Sequence, residues 1–492
     1  MLRLFRAPRG RLALIGGRLE YDNRAVFEAL HEASNGRIAV FATASEFPDE
    51  VGTEMVADLR AHGVEAWLVP LTVDNAGEAA LDPQLCQRVA DTGSAYFTGG
   101  DQSRIIHALI RDGAETPMLA TLRALHAGGG LIAGSSAGAA MMSRHIIRSG
   151  TSVEAFTDGL VAEVDAPGLT LGEGLGFFPW GVVDQHFIMR GRVGRLLVAT
   201  HSVGHQFGFG VDENTAMLVA GERFRVIGET GVVVLDLRDA GIASDGTEYR
   251  DVRLSYLDDG DGYDLRRHRP LPAPDKTRVR ISGTSYTAPA PFHRNAFGSY
   301  ALHELLIRLA RGNPSHYRRD HLLAYDARRE TEVVVTLERV PRRSRALTAE
   351  RDGQTRYSAL NFFLHVRARA LARRAWQDLR HCQRWPRAGA VLPQARLVLL
   401  GNSPLKWDPG LVGDLCKHLA GPVGILATAS GVPGEVARDY ARWLQRHGIP
   451  AEDLNVTARN VDQRCRDQGF LQHLAAQRTV LITGGDQRRL TE

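Results

Sequence analysis

The sequence predicts an α/β fold, with mostly parallel strands and helices on both faces of the sheet. Three observations carry that expectation. Short apolar strands alternate with amphipathic helical patterns through the first half, and such alternation implies parallel strands joined by helical crossovers. The run Gly128-Gly129-Gly130-Leu131-Ile132-Ala133-Gly134-Ser135-Ser136-Ala137-Gly138-Ala139 drives an apolar strand into a Gly-x-Ser-x-Gly turn. Residues 11–107 also align without a gap on residues 396–492, at a constant offset of 385.

Strands are expected at Arg11–Ile15, Ile38–Ala42, Ala66–Pro70, Ala95–Thr98 and Leu131–Ala133, with helices between them at Ala25–Ala33, Val51–Ala61, Pro83–Ala90, Gln102–Arg111 and Met118–His126. In such a sheet ligands bind beyond the carboxyl ends of the strands, the edge that carries Ser136 and the Gly99-Gly100-Asp101 turn. Arg223–Leu235 and Arg250–Tyr256 read as strands that complete a catalytic domain over residues 1–270, and Leu271-Pro272-Ala273-Pro274-Asp275 reads as a linker. Residues 271–394 form an Arg-rich region with a helix at Ser299–Arg311 and two strands, Glu332–Val340 and Ser358–Val366. Residues 395–492 are the partial repeat. Ala42-Thr43-Ala44-Ser45 recurs as Ala427-Thr428-Ala429-Ser430, and Thr98-Gly99-Gly100-Asp101-Gln102 as Thr483-Gly484-Gly485-Asp486-Gln487. Several matches in fixed register indicate duplication. The second copy stops before its own elbow, as a partial domain used for packing or because the chain is cut short of a longer parent.

With 492 residues the chain exceeds one ordinary core. No stretch reaches the ~18 apolar residues that span a membrane. The start is basic, but Leu12–Ile15 ends in Gly16-Gly17 and lacks the length and cleavage site of a signal peptide. Cys86, Cys382, Cys416 and Cys465 are scattered, with no CxxC pair. That argues against disulfides and thiolate zinc and for a cytoplasmic setting. Between Arg342 and Arg387 twelve arginines face only Glu350, Asp352 and Asp378. Without a nucleic-acid motif or interleaved aromatics they read as a solvated surface, so no nucleic-acid or membrane partner is expected.

The chemistry centres on Ser136. A serine on a sharp strand-to-helix turn is forced out at the carboxyl end of its strand, and the following helix start offers free N–H groups where an oxyanion would form. Such a nucleophile needs a base and an orienting acid. His186, in Val183-Asp184-Gln185-His186-Phe187, is the best base, with His145, His201 and His205 as competitors. Gly210-Val211-Asp212-Glu213-Asn214-Thr215-Ala216 offers an acid after another strand, and the Gly100 amide offers an oxyanion donor. No HExxH is present, and Gly16-Gly17 lacks GxGxxG spacing, so neither a metal nor a dinucleotide cofactor is expected.

Four ordered motifs, Phe97-Thr98-Gly99-Gly100-Asp101-Gln102, Gly134-Ser135-Ser136-Ala137-Gly138-Ala139, Asp184-Gln185-His186-Phe187 with Arg190 and Arg192, and Gly210-Val211-Asp212-Glu213, together resemble cyanophycinase and, more distantly, peptidase E. The resemblance covers roughly residues 10–265. It implies a flavodoxin-like (class I glutamine amidotransferase-like) sheet, a homodimer, no cofactor, and a Ser–His–Glu set made of Ser136, His186 and Glu213. The Gly100 and Ala137 amides would form the oxyanion hole, and Gln102, Asp184, Gln185, Arg190, Arg192 and Arg195 would line the substrate site. Ser135 stands where the family usually has threonine, which keeps the hydroxyl. The implied activity is serine exopeptidase cleavage of cyanophycin, an aspartate-rich peptide polymer with arginine on each β-carboxyl, to β-Asp-Arg dipeptides. The competing expectations are an aspartyl dipeptidase of the same mechanism and a non-catalytic binding or assembly protein.

Overall fold

In the computed structural model the described residues are 10–370, apart from 18, 280–294, 313–316, 327 and 352, and parts of 419–483. The chain divides into two compact units, Met1–Gln377 and Asp378–Glu492.

The first unit opens with β1 (Arg11–Ile15), α1 (Arg24–Ser34), β2 (Arg37–Phe41), α2 (Pro48–Ala61), β3 (Glu65–Val69), α3 (Pro83–Thr92), β4 (Ser94–Phe97), α4 (Gln102–Leu109), α5 (Pro117–Ala127) and β5 (Leu131–Ser135). Each expected strand and helix of this half is present within a few residues, because the sequence signals its ends. Asp82, Asp101 and Thr116 accept hydrogen bonds from the first turns of α3, α4 and α5, the usual role of an N-cap. The five strands lie parallel in the order β1-β5-β4-β2-β3. Their side chains fill two layers: Leu14, Phe41 and Phe97 pack on one face, and Ile15, Val40 and Tyr96 on the other.

After a one-turn helix, α6 (Ala137–Ala140), the chain forms β6 (Val182–Asp184), α7 (Val193–Ser202), β7 (Phe207–Val211), β8 (Thr215–Ala220), β9 (Arg223–Gly228), β10 (Gly231–Asp236), β11 (Glu248–Asp258), β12 (Gly262–Asp264) and β13 (Arg269–Leu271). Strand β8 pairs antiparallel with β1, and β9, β12 and β13 extend that edge. The parallel strands are therefore only one side of a nine-stranded mixed sheet. The expected single strand at 223–235 is two, folded at Glu229-Thr230 into a turn that sends β9 and β10 to different sheets.

A second sheet, mostly antiparallel, departs from the mostly parallel expectation. It contains β6 parallel to β7, and then β10, β11, β17 (Gln354–Ala370), β15 (Thr331–Glu338) and β14 (Arg319–Asp326) in antiparallel succession, with β16 (Arg345–Arg351) also on β17. The sheet runs across the boundary drawn near residue 270, because β11 pairs with β17 over most of its length. Helix α8 (Ala301–Arg311) covers it with Leu302, Leu305, Leu306 and Leu309. The Pro-rich segment after β13 is tied down by Lys276, whose fully buried Nζ lies 2.9 Å from Asp261 Oδ2. Ser358 of β17 donates to the same oxygen.

The second unit has β18 (Val423–Leu426), α9 (Pro433–Arg446), β19 (Ala451–Asp453), α10 (Gln468–Ala476) and β20 (Thr479–Ile482). Strand β18 lies parallel between β19 and β20. Its register, Val423 opposite Ala451 and Gly424 opposite Val480, repeats that of Ile38 opposite Ala66 and Ala39 opposite Ala95 at the sequence offset. Gly484-Gly485-Asp486-Gln487 lies outside the described residues. No helix among the described residues is long and apolar enough to cross a membrane.

Candidate active site

Ser136 follows β5 directly, at the carboxyl edge of the parallel strands. Its backbone takes φ 52° and ψ −111°, a strained conformation for a residue with a Cβ. Its amide donates to the Ile15 carbonyl at 2.9 Å, which fixes the turn against β1. The flanking glycines make the bend possible. A Cβ on Gly134 would lie 2.6 Å from the Gly138 backbone, and one on Gly138 would lie 2.2 Å from the Phe97 carbonyl oxygen. The helix behind the serine is a single turn, so individual amides rather than a long helix dipole face the site.

His186 and Glu213 come from the second sheet. Asp184 of β6 stands opposite Gly210 of β7, so the loops that follow emerge side by side. His186 Nε2 lies 2.8 Å from Ser136 Oγ, and its Nδ1 lies 2.5 Å from Glu213 Oε1. Both side chains are buried, and Ser136 is half-buried. His186 adopts a left-handed φ of 48°, and its amide donates to Gly16 O at 2.5 Å. Burial, followed by the Arg190 and Arg192 guanidiniums, pushes the imidazole well below its usual pKa. It is therefore neutral at pH 7 and able to accept a proton at Nε2, with Glu213 Oε1 against the other ring nitrogen.

The competing histidines lie elsewhere. His145 and His205 meet edge-on with ring centroids 5.7 Å apart, and His201 and Tyr249 also meet edge-on. Gly99 lies against the serine, where a Cβ would fall 3.3 Å from Ser136 Cβ, and Gly100 packs on the Ala44 backbone, where a Cβ would fall 2.1 Å from Ala44 O. Gly100 has φ 143°. Among the described residues, no group accepts a hydrogen bond from the Gly100 or Ala137 amide.

The six expected substrate residues divide. Arg190 is exposed. Gln102 is buried and donates to Ile147 O at 2.7 Å. Asp184 and Arg195 are buried and grip each other through Nε–Oδ2 at 2.7 Å and Nη2–Oδ1 at 2.5 Å. Burial alone would raise the Asp184 carboxyl, but Arg195 and Arg192 hold it below its usual value. Arg192 donates to Gln185 through both Oε1 and the backbone oxygen, and burial lowers its pKa to about 9. Asp184, Arg192 and Arg195 thus form a charged layer beneath Gln185, with Arg190 as the outward cation.

Two contributors escape a motif reading. A Cβ on Gly17 would lie 2.7 Å from Glu213 Cγ and 3.0 Å from His186 Nδ1, so this glycine admits the pair. Its signal was a strand ending in Gly-Gly. Asn214, at φ 50°, is anchored by Asn23, which donates to its carbonyl at 2.8 Å and its Oδ1 at 2.7 Å. That contact is 191 residues away in sequence and leaves no local signature.

Residues 12–227 match peptidase family S51. The cyanophycinase of Synechococcus elongatus is 34% identical over 241 residues, 47% of this chain and 70% of that protein. The cyanophycinase of Geminocystis herdmanii is 31% identical over 243 residues, 48% of this chain and 84% of that protein. A crystal structure of a peptidase from an acI-B1 Actinobacterium shares 24% identity with a TM-score of 0.35, over 46% of this chain and 91% of that one. The family match and the cyanophycinase relatives define a serine-type peptidase. The chain belongs to peptidase family S51.

Proposed function

We propose that this peptidase is a serine exopeptidase that hydrolyses cyanophycin to β-Asp-Arg dipeptides, with Ser136 as nucleophile, His186 as general base and Glu213 as orienter. The observation that carries the reading is the unbroken line from Ser136 Oγ to His186 Nε2 at 2.8 Å and from Nδ1 to Glu213 Oε1 at 2.5 Å. His186 takes the Ser136 proton as Oγ attacks the scissile carbonyl carbon. The oxyanion accepts from the Gly100 and Ala137 amides. The C–N bond then breaks as His186 returns the proton to the leaving amine, and a water activated by His186 hydrolyses the acyl-serine.

Arg190 faces the substrate's carboxylates, and the Asp184–Arg195 pair sets the positions of Gln185 and Arg192. The substrate is carried over from the cyanophycinase relatives and fits a site that presents both signs of charge. The parallel strands belong to a flavodoxin-like domain, the second unit is a duplicated half of it, and the protein works as a cytoplasmic homodimer. The matching strand registers support the duplication, and the scattered cysteines support the compartment. Chromatography of the products from purified cyanophycin tests the substrate. Release of β-Asp-Arg supports the reading. Cleavage of small aspartyl peptides without attack on the polymer moves it to an aspartyl dipeptidase, and inertness to both favours a binding or assembly protein.

A further inference from the structure

The loop that presents His186 is held from below by a carboxyl group that the catalytic line does not use. Asp212 is fully buried, and its Oδ1 accepts from the consecutive amides of Ile188 and Met189, each at 3.0 Å. Those two contacts complete the backbone bonding of the turn. The His186 amide goes to Gly16 O, Phe187 to Val211 O, Arg190 to His186 O, Gly191 to Ile188 O and Arg192 to Phe187 O. On the other side Tyr300 N donates to Ile188 O at 3.1 Å. Since His186 sits in a left-handed conformation, its ring direction depends on how firmly the following residues are fixed.

We propose that Asp212 is a positioning residue that holds the His186–Arg192 turn through Oδ1, so that the Asp212-Glu213 dipeptide fixes both the backbone and the ring of the base. This rests on the reading of Ser136 and His186 given above. Asp212 Oδ2 has no hydrogen-bond partner among the described residues, and burial pushes the carboxyl up to about 7. The function of the group therefore lies in one oxygen. Asp212→Asn keeps that acceptor, whereas Asp212→Ala leaves the buried Ile188 amide and the half-buried Met189 amide without a partner.

The test is the rate of Ser136 acylation by a fluorophosphonate probe, followed by intact-mass spectrometry, with melting temperature as the control for folding. For Asp212→Ala the maximal acylation rate falls about 10- to 100-fold, as expected for a base displaced by a fraction of an ångström to an ångström. The half-saturating probe concentration is unchanged, and Asp212→Asn recovers most of the rate. A folded alanine variant with the wild-type rate overturns the proposal. So does a folded asparagine variant that loses tenfold or more, which decides the matter even if the alanine variant does not fold. If wild-type Ser136 itself is not labelled, the nucleophile reading fails, and that outcome is distinct from the other two.

Discussion

At the scale of single residues, the proposed mechanism rests on a neutral imidazole held between the Ser136 hydroxyl and the Glu213 carboxyl group. Removing the Ser136 hydroxyl leaves only binding and the oxyanion donors, so Ser136→Ala lowers kcat by roughly 10⁴–10⁶-fold, measured as peptide release at saturating substrate. His186→Ala costs a similar factor, and the double variant adds little, as expected of groups that act as a unit. The pH dependence follows from the lowered imidazole pKa. Activity requires neutral His186, so kcat/KM falls with acid only well below pH 6.5 and stays flat through neutrality. Of the charges that depress the imidazole, Arg190 acts most strongly. Arg190→Ala therefore moves the acid limb to higher pH while raising KM, which a pH series of kcat/KM reads directly.

At the scale of elements, the site is assembled where two kinds of strand connection meet. The βα turn after β5 supplies Ser136, and the loops after the neighbouring parallel strands β6 and β7 supply His186 and Glu213. Gly138 must be bare because the turn presses on the Phe97 carbonyl. Gly138→Ala should lower stability by roughly 1–3 kcal/mol, read by denaturant unfolding, and should slow acylation of Ser136. The runs that carry Ser136, His186 and Glu213, which the fold brings together, were legible because each is a short motif with fixed local geometry. The strands from β1 to β5 were legible because alternation and caps are local. The Asn23–Asn214 clamp, the space at Gly17 and the engagement of Arg195 by Asp184 were not, since each depends on segments brought together only by the fold. The split at Glu229-Thr230 had a local signal in Gly228-Glu229-Thr230-Gly231, but nothing local shows that the strands on either side join different sheets.

At the scale of the whole molecule, the described residues between 271 and 370 are part of the first unit's architecture. Strand β11 has β10 on one side and β17 on the other, and Lys276, Asp261 and Ser358 lock the crossing segment inside. Breaking that pair leaves a buried carboxylate, so Lys276→Met should cost roughly 3–5 kcal/mol. A chain ended at residue 270 should fail to fold cooperatively, as judged by circular dichroism and melting. Antiparallel pairing between β11 and β17 spans about a hundred residues, which is why composition suggested a separate region there. The central claim is that this S51 peptidase acts through a serine at the elbow activated by His186. Its most direct test is peptide mapping of the residue labelled by a serine-directed acylating probe, in the wild type and in His186→Ala. The account predicts a single modified residue, Ser136, whose labelling is lost when the imidazole is removed. Modification of another residue, or labelling of Ser136 at an undiminished rate without His186, would contradict it.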